Sequence, residues 1–542
     1  MEKRYKMKIE KQTISISQTN SFSQLVMDYV DENEKMLPFI EAFPSLETLQ
    51  KQLSHKMFQP AQRDLLVRVL RKQYAKINIT EAEENACGLL QKQNTFTICT
   101  AHQPVIFTGH LYFMYKIMHV IKLAEQCKMQ FSDYDFVPVF YMGSEDDDLQ
   151  EIGTFHYNQK KYQWDTPQTG ACGRMSTKDL EPILQEVCLT LNLQKEDEKY
   201  LFDVLQEAYH STNTLAEATR MLVHHLFGMY GLLVIDGDDT EFKRTFIPVM
   251  EDELIQQSSH LVVAKTIEQL QVNYTAQASP RELNLFYLKD NIRERIERVG
   301  EQWTVNNTAI SFDKTALLDE LHQYPERFSP NVILRPLYQE NILPNIAFIG
   351  GGAEIAYWME LKSLFAYHHI VYPILQLRNS ILWIGEREQQ RMKMLSLRHA
   401  DLFKDIEALY QQFVAKSDTM QELDKLQNTI NTYYQEINLL SKEVNKPLEV
   451  SMLAHHAKAE KIQKRIREKF VAQIKKKDEQ IYTNILKLKT ALFPKHTLQE
   501  RHDNFLTLYK LYGREMFSIL YQYQDGLKND FIILQAHEMN DY

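Results

Sequence analysis

Residues 95–116, TFTICTAHQPVIFTGHLYFMYK, decide the fold. A β-branched and aromatic run from Thr95 to Cys99 gives way to polar His102 and Gln103, and beyond Gly109 apolar residues recur at helical spacing through LYFMYKIMHVIKLAEQ. That is a buried strand, a loop and a helix in succession. The pattern recurs downstream: FVPVFYMG (136–143) ends in SEDDD, GLLVID (231–236) in GDD, NIAFIG (345–350) in two more glycines, and VYPIL (371–375) runs on to Arg378. Apolar strands without alternation, separated by helical stretches, imply an α/β fold whose largely parallel sheet is covered on both faces. Ligands of such a sheet bind beyond the carboxyl ends of its strands, where these polar clusters stand.

The 542 residues suit two to four domains at ~150 residues each. Apolar residues at 44% and charged residues at 25% are those of a folded, soluble protein. Glycine and proline number only 16 each, so helix should dominate. A net charge of −10 disfavours nucleic acid as a partner, and no apolar run approaches the ~18 residues that span a bilayer. Five cysteines without a CxxC pair (Cys87, Cys99, Cys127, Cys172, Cys188) fit reduced thiols, so the protein is expected in the cytoplasm. No Cys/His spacing matches a metal site, and none is expected.

Residues 1–90 read as an N-terminal helical segment packed on the core, and 91–385 as the core itself, with inserts near 160–225 and 240–330. From 386 to 512 the chain reads as a helical arm. Glu386 to Lys489 is free of glycine and broken only near Pro447, which implies two long helices. Leu423, Leu426, Ile430, Tyr433, Ile437, Leu440 and Val444 alternate spacings of three and four, the seam of a coiled coil. Ile462, Ile466, Phe470, Ile474, Ile481, Ile485 and Leu488 give the opposing stripe of an antiparallel hairpin. The tail, 513–542, reads as a strand hairpin around Asp525-Gly526 that returns to the core.

Three clusters carry chemistry. In the first loop His102, Gln103, Thr108 and Gly109 precede a helix whose free N–H groups can hold an anion, with Lys116 about two turns along. A plain helix cap reads the same residues equally well. In the second cluster Glu145, Asp146, Asp147, Asp148 and Glu151 crowd the end of a buried strand, and like charges so close call for a cation, a magnesium–nucleotide or an amine. An acidic helix start explains one or two of them. In the third, Gly350, Gly351 and Gly352 mark a close backbone approach at a strand-to-helix junction. Glu354 and Tyr357 share a helix face there, and Arg335 and Arg378 are candidate carboxylate or phosphate anchors.

Taken together, these residues give a sequence that resembles the BshC family, the cysteine-adding ligase of bacillithiol biosynthesis. The resemblance covers nearly the whole chain, through FSQLVMDYV, HQPVIFTGHLYFMYK, VPVFYMGSEDDDLQEI, GLLVIDGDD with FKR, NLFYLKDNIRERIE, SPNVILRPLYQENILPNIAFIGGGAEIAYW and FPKHTLQER, in that order. It implies a Rossmann-like core with connecting inserts, a long coiled-coil arm and a homodimer held by that arm. It also implies amide-bond formation between the carboxyl group of cysteine and the amine of glucosaminyl-malate. The activating cofactor stays open, with ATP and magnesium among the candidates. Catalytic roles fall on Glu145, Asp146 and Asp148. Substrate contacts fall on Gln103, Thr108, Gly109, Arg335, Gly351, Glu354 and Tyr357, with His102, Lys116, Gly352 and Arg378 beside them. The chain departs from the family pattern where Ala101-His102-Gln103 and Thr108-Gly109-His110 stand for Gly-Gln-Gln and Thr-Gly-Pro, and where Asp147 stands for a histidine.

Two other readings compete. One is an adenylating or nucleotidyl-transferring enzyme for another carboxylate, although the HxGH spacing is absent. The other is an interaction scaffold built on the arm and its basic stretch at 461–477, which has no need of carboxylates at a sheet edge.

Overall fold

The computed structural model describes residues 7–477 and 479–538. Strands β1 (Thr95–His102), β2 (Asp135–Met142), β3 (Leu233–Asp236), β4 (Asn345–Gly350) and β5 (Ile374–Leu377) form one sheet in the order β5-β4-β1-β2-β3. Every pairing in it is parallel. Both faces are covered, which is why these strands read as unbroken apolar runs: Phe96 and Ile98 of β1 join Leu49, Leu53 and Val120 on one side, and Cys99 and Ala101 join the larger core on the other.

The chain winds from β1 outward to β3, then crosses back to the far side of β1 for β4 and β5. That reversal opens a crevice between the carboxyl ends of β1 and β4. Helices α1 (Gln24–Val30), α2 (Tyr112–Gln130), α3 (Thr240–Gln256), α4 (Arg335–Ile342) and α5 (Gly352–Met359) stand around it. The first insert carries helices Glu181–Leu189, Glu196–His210 and Leu215–Phe227. The second builds a five-stranded antiparallel sheet from segments between Leu285 and Pro330.

Three expectations need correction. The N-terminal segment is not wholly helical, because Met7–Ile14 is a strand antiparallel to Phe531–Glu538, which in turn runs parallel to Ser380–Ile384. The tail is not a strand hairpin: Glu515–Tyr523 is a helix that buries Met516, Phe517, Ile519 and Leu520, and only the last segment is a strand. Upstream of the arm the helix is interrupted, since Asp405 and Ser417 each accept from a backbone N–H three residues on and start new helices.

The arm is a hairpin of α6 (Asp418–Val444) and α7 (Lys446–Lys477). Asn445 breaks it, and its side chain accepts from the Leu448 amide. The seam between the two helices is polar: Gln427 donates to the Gln463 carbonyl, Asn438 meets His456, and Asp424 pairs with Arg467. Much of the apolar stripe expected there faces outward instead, from 41% exposed at Ile430 to 66% at Val444, with Ile462, Ile466 and Phe470 exposed on α7, whereas Leu423, Ile437 and Ile474 are half-buried and Ile485 and Leu488 are buried in the separate helix Glu479–Leu492. Periodicity locates a stripe without saying what it packs against.

Candidate active site

A cavity of about 590 Å³ opens at the crevice between β1 and β4. Its acidic side comes from the loop after β2. Glu145 is buried, with Oε1 2.5 Å from Lys243 Nζ of α3, and Lys243 also donates to the Phe328 carbonyl. Burial raises the Glu145 pKa against the pull of Lys243. Asp146 accepts from Gln103 Nε2 at 3.1 Å and from the Asp147 amide at 2.8 Å, folding the loop upon itself. Glu151 also receives Gln103, at 3.4 Å. Burial, with Asp148 and Asp146 close by, raises its pKa.

The basic side comes from Arg335, Arg378 and Arg501. Arg335 donates to Gln339 Oε1 at 3.1 Å and to the Tyr357 hydroxyl at 2.7 Å. Among the described residues no ion pair occupies it. Arg378, by contrast, is buried against Glu500 at 2.7 Å. The floor is α5, whose N-terminal amide at Gly351 is taken by Glu354 Oε2 at 2.8 Å. Lys116, buried beneath, donates to both Glu354 oxygens at 2.7–2.8 Å and to the Ala101 carbonyl. Burial alone would raise Glu354, yet Lys116 holds its pKa below the usual carboxylate value. A Cβ on Gly350 would stand 2.9 Å from the Phe348 ring, which explains one glycine of the three by packing. Among the described residues no three His, Cys, Asp or Glu converge as metal ligands, and no helix is long and apolar enough to cross a membrane.

The family model for the BshC N-terminal Rossmann-like domain of bacillithiol biosynthesis matches residues 7–379, and that for the BshC C-terminal coiled-coil domain matches residues 381–536. The chain belongs to the BshC family. The BshC protein of Flavobacterium johnsoniae, described as "Putative cysteine ligase BshC", is 38% identical over 96% of this chain and 99% of its own. That of Flavobacterium psychrophilum is 36% identical over 96% and 99%. A more distant BshC protein, from Prosthecochloris aestuarii, is 28% identical over 97% of each.

Against this BshC frame, the structure brings together His102, Gln103, Glu145, Asp146, Arg335, Gly351, Gly352, Glu354, Tyr357 and Arg378 on the cavity wall, with Lys116 just behind. Thr108 and Gly109 do not line it. Their amides close a tight turn onto Val105 and Ile106, Asn504 donates to the Phe107 and Gly109 carbonyls, and Leu111 donates to the Asp503 carbonyl. With those amides spent, the loop is a structural turn and does not offer itself to an anion. Asp148 caps the short helix Leu149–Ile152 by accepting from the Glu151 amide, outside the cavity wall. Asp147 pairs with Arg293 of the second insert at 2.7 Å. Reading the sequence missed Tyr112, Tyr141, Arg293 and Arg501 and left Glu151 without a role, although all five line the cavity. Arg293 and Arg501 lie in segments that carry the family likeness, but only tertiary folding brings them to the site.

Proposed function

We propose that this protein is a cytoplasmic ligase that joins the carboxyl group of cysteine to the amine of glucosaminyl-malate, completing bacillithiol. The observation that carries the reading is the charge layout of one cavity: an arginine with no ion-pair partner among the described residues, Arg335, shares it with Asp146 and Glu151. An amino sugar bearing malate carries both complementary charges. Arg335, its fork steadied by Tyr357 and Gln339, would hold a malate carboxylate. Glu151, its affinity for protons raised, would take the proton that the amine sheds before attack. Carboxylate and ammonium do not condense unaided in water, so the cysteine carboxyl group would first be activated by ATP, as an adenylate or acyl phosphate, and AMP or phosphate would leave as the amine attacks. The names of the relatives support the same reaction class.

The test is direct. Purified protein given cysteine, glucosaminyl-malate and magnesium–ATP should yield the amide by mass spectrometry, and deleting the gene should abolish bacillithiol while glucosaminyl-malate accumulates. An unchanged thiol profile in the deletion strain refutes the reading.

We also infer that the arm pairs with a second copy of the chain. The outward stripe of Leu426, Ile430, Tyr433, Leu440 and Val444 with Ile462, Ile466 and Phe470 is what a coiled-coil partner would cover.

A further inference from the structure

Two side chains meet at the carboxyl end of β1. His102 ends the strand, and its ring lies beside that of Tyr112 at the start of α2, with centroids 5.4 Å apart. The Nδ1 atom of His102 is 3.1 Å from the Gln103 carbonyl oxygen, and Nε2 is 3.0 Å from the Tyr112 hydroxyl. A carbonyl oxygen only accepts, so Nδ1 carries the proton. Burial, helped by the Lys116 ammonium, pushes the His102 pKa down to about 4, so the ring is neutral near pH 7 and holds one proton only. Nε2 is therefore a lone-pair acceptor, and the Tyr112 hydroxyl commits its single proton to it. What Tyr112 has left to offer is an oxygen lone pair.

Tyr112 lines the cavity. The Glu151 and Glu354 carboxylates and the Arg378 and Arg501 guanidinium groups act on it, and Arg378 lies 5.3 Å from its ring centroid. We propose that Tyr112 is a specificity-determining residue that accepts a hydrogen bond from an O–H or N–H group of the amino-sugar substrate, and that His102 is the positioning residue that fixes this polarity. The proposal rests on the reading of the cavity as the glucosaminyl-malate site. It gives His102 no direct contact with substrate. A site built to accept in this way disfavours an analogue that lacks the donor, because the cavity-facing lone pair of the half-buried Tyr112 oxygen is then left without a donor.

The test is calorimetric binding of glucosaminyl-malate, and of its N-acetylated form, to the full-length protein and to Tyr112→Phe, His102→Leu and the double variant. Tyr112→Phe removes one oxygen and keeps the ring, so circular dichroism should match the parent. Its Kd for glucosaminyl-malate should rise about tenfold, the worth of one hydrogen bond. His102→Leu should weaken binding similarly, because without the Nε2 acceptor nothing holds the phenol proton away from the cavity and the oxygen lone pair is no longer pre-aimed at the substrate. The double variant should be no worse than Tyr112→Phe alone, since both act through one bond. An equal loss for the N-acetylated form assigns the donor as a hydroxyl, and a loss confined to the free amine assigns it as the amine. An unchanged Kd in folded Tyr112→Phe, or in folded His102→Leu, overturns the proposal. If the parent binds glucosaminyl-malate with this dependence yet forms no amide, the ligase reading fails and the Tyr112 assignment stands. If the parent does not bind it, both fall.

Discussion

The cavity and the arm bury opposite things. Around the cavity, charged groups sink below the surface and meet partners from distant parts of the chain: Lys116 with Glu354, Lys243 with Glu145, Arg378 with Glu500. Along the arm several polar side chains turn inward, among them Gln427, Asn438 and Gln463, while many large apolar ones, Leu426, Ile430, Leu440 and Val444 among them, turn to solvent. A buried ion pair is complete once its own chain has folded, because both charges are already satisfied. An exposed apolar stripe is incomplete until something covers it. The difference separates a site whose charges are satisfied within one chain from a surface that, on the proposed dimer, a second copy would cover.

The sharpest way to break that contrast is to remove one partner in each region. Lys116→Met leaves the Glu354 carboxylate at the cavity floor without its buried partner, and urea denaturation should show a loss of about 3–5 kcal/mol. A loss below about 1 kcal/mol would mean that water reaches Glu354 and that the pair is not closed. On the arm, Ile430→Asp with Ile466→Asp places charges on the outward stripe, and light scattering should report a monomer whose folded core is retained. A surviving dimer would move the interface elsewhere.

A third comparison uses pH. Glu360 is fully buried, accepts from the Gln277 and Ala278 amides, and is pushed by burial from the ordinary carboxylate value up to about 7. The folded state then keeps a proton that the unfolded chain has already released, so stability should fall as pH rises from about 4.5 through 7. Glu360→Gln should flatten that slope by roughly 2–3 kcal/mol between pH 5 and 8, read from thermal melts. A parent slope that survives the substitution would put its source elsewhere.

Smaller still is Arg335→Lys, which keeps the charge but loses the fork and should raise KM for glucosaminyl-malate about tenfold with the fold intact. An unchanged KM would remove Arg335 from substrate binding. Least of all, Asp424→Asn breaks the partly exposed pair with Arg467 in the arm and should cost under about 1 kcal/mol. A larger cost there than at Lys116 would invert the comparison.

What sequence revealed follows the same division. The five core strands were legible because a strand buried on both faces has few polar residues to disguise it, and their polar ends pointed to the crevice. Arg335, Glu354 and Tyr357 reach the cavity from the one segment that named them. The turn at Thr108 and Gly109 misled because its local pattern equals that of an anion loop. Asn504, nearly four hundred residues on, decides otherwise. Residues 515–523 misled for another reason: apolar positions at 516, 517, 519 and 520 fit either period in so short a run. Met7–Ile14 was hidden because the polar run Glu10-Lys11-Gln12-Thr13 breaks the alternation that marks a half-buried strand, at the edge of its sheet.

That edge strand also sets a clock. Met7–Ile14 has one neighbour in its sheet, Phe531–Glu538, and the same late segment is the neighbour of Ser380–Ile384. A ribosome adding about 5–20 residues per second reaches it roughly half a minute to two minutes after the first strand emerges. Throughout that interval Met7–Ile14 has no pairing partner from its own chain. A strand made more than five hundred residues later is the one that fastens Met7–Ile14 to the base of the arm.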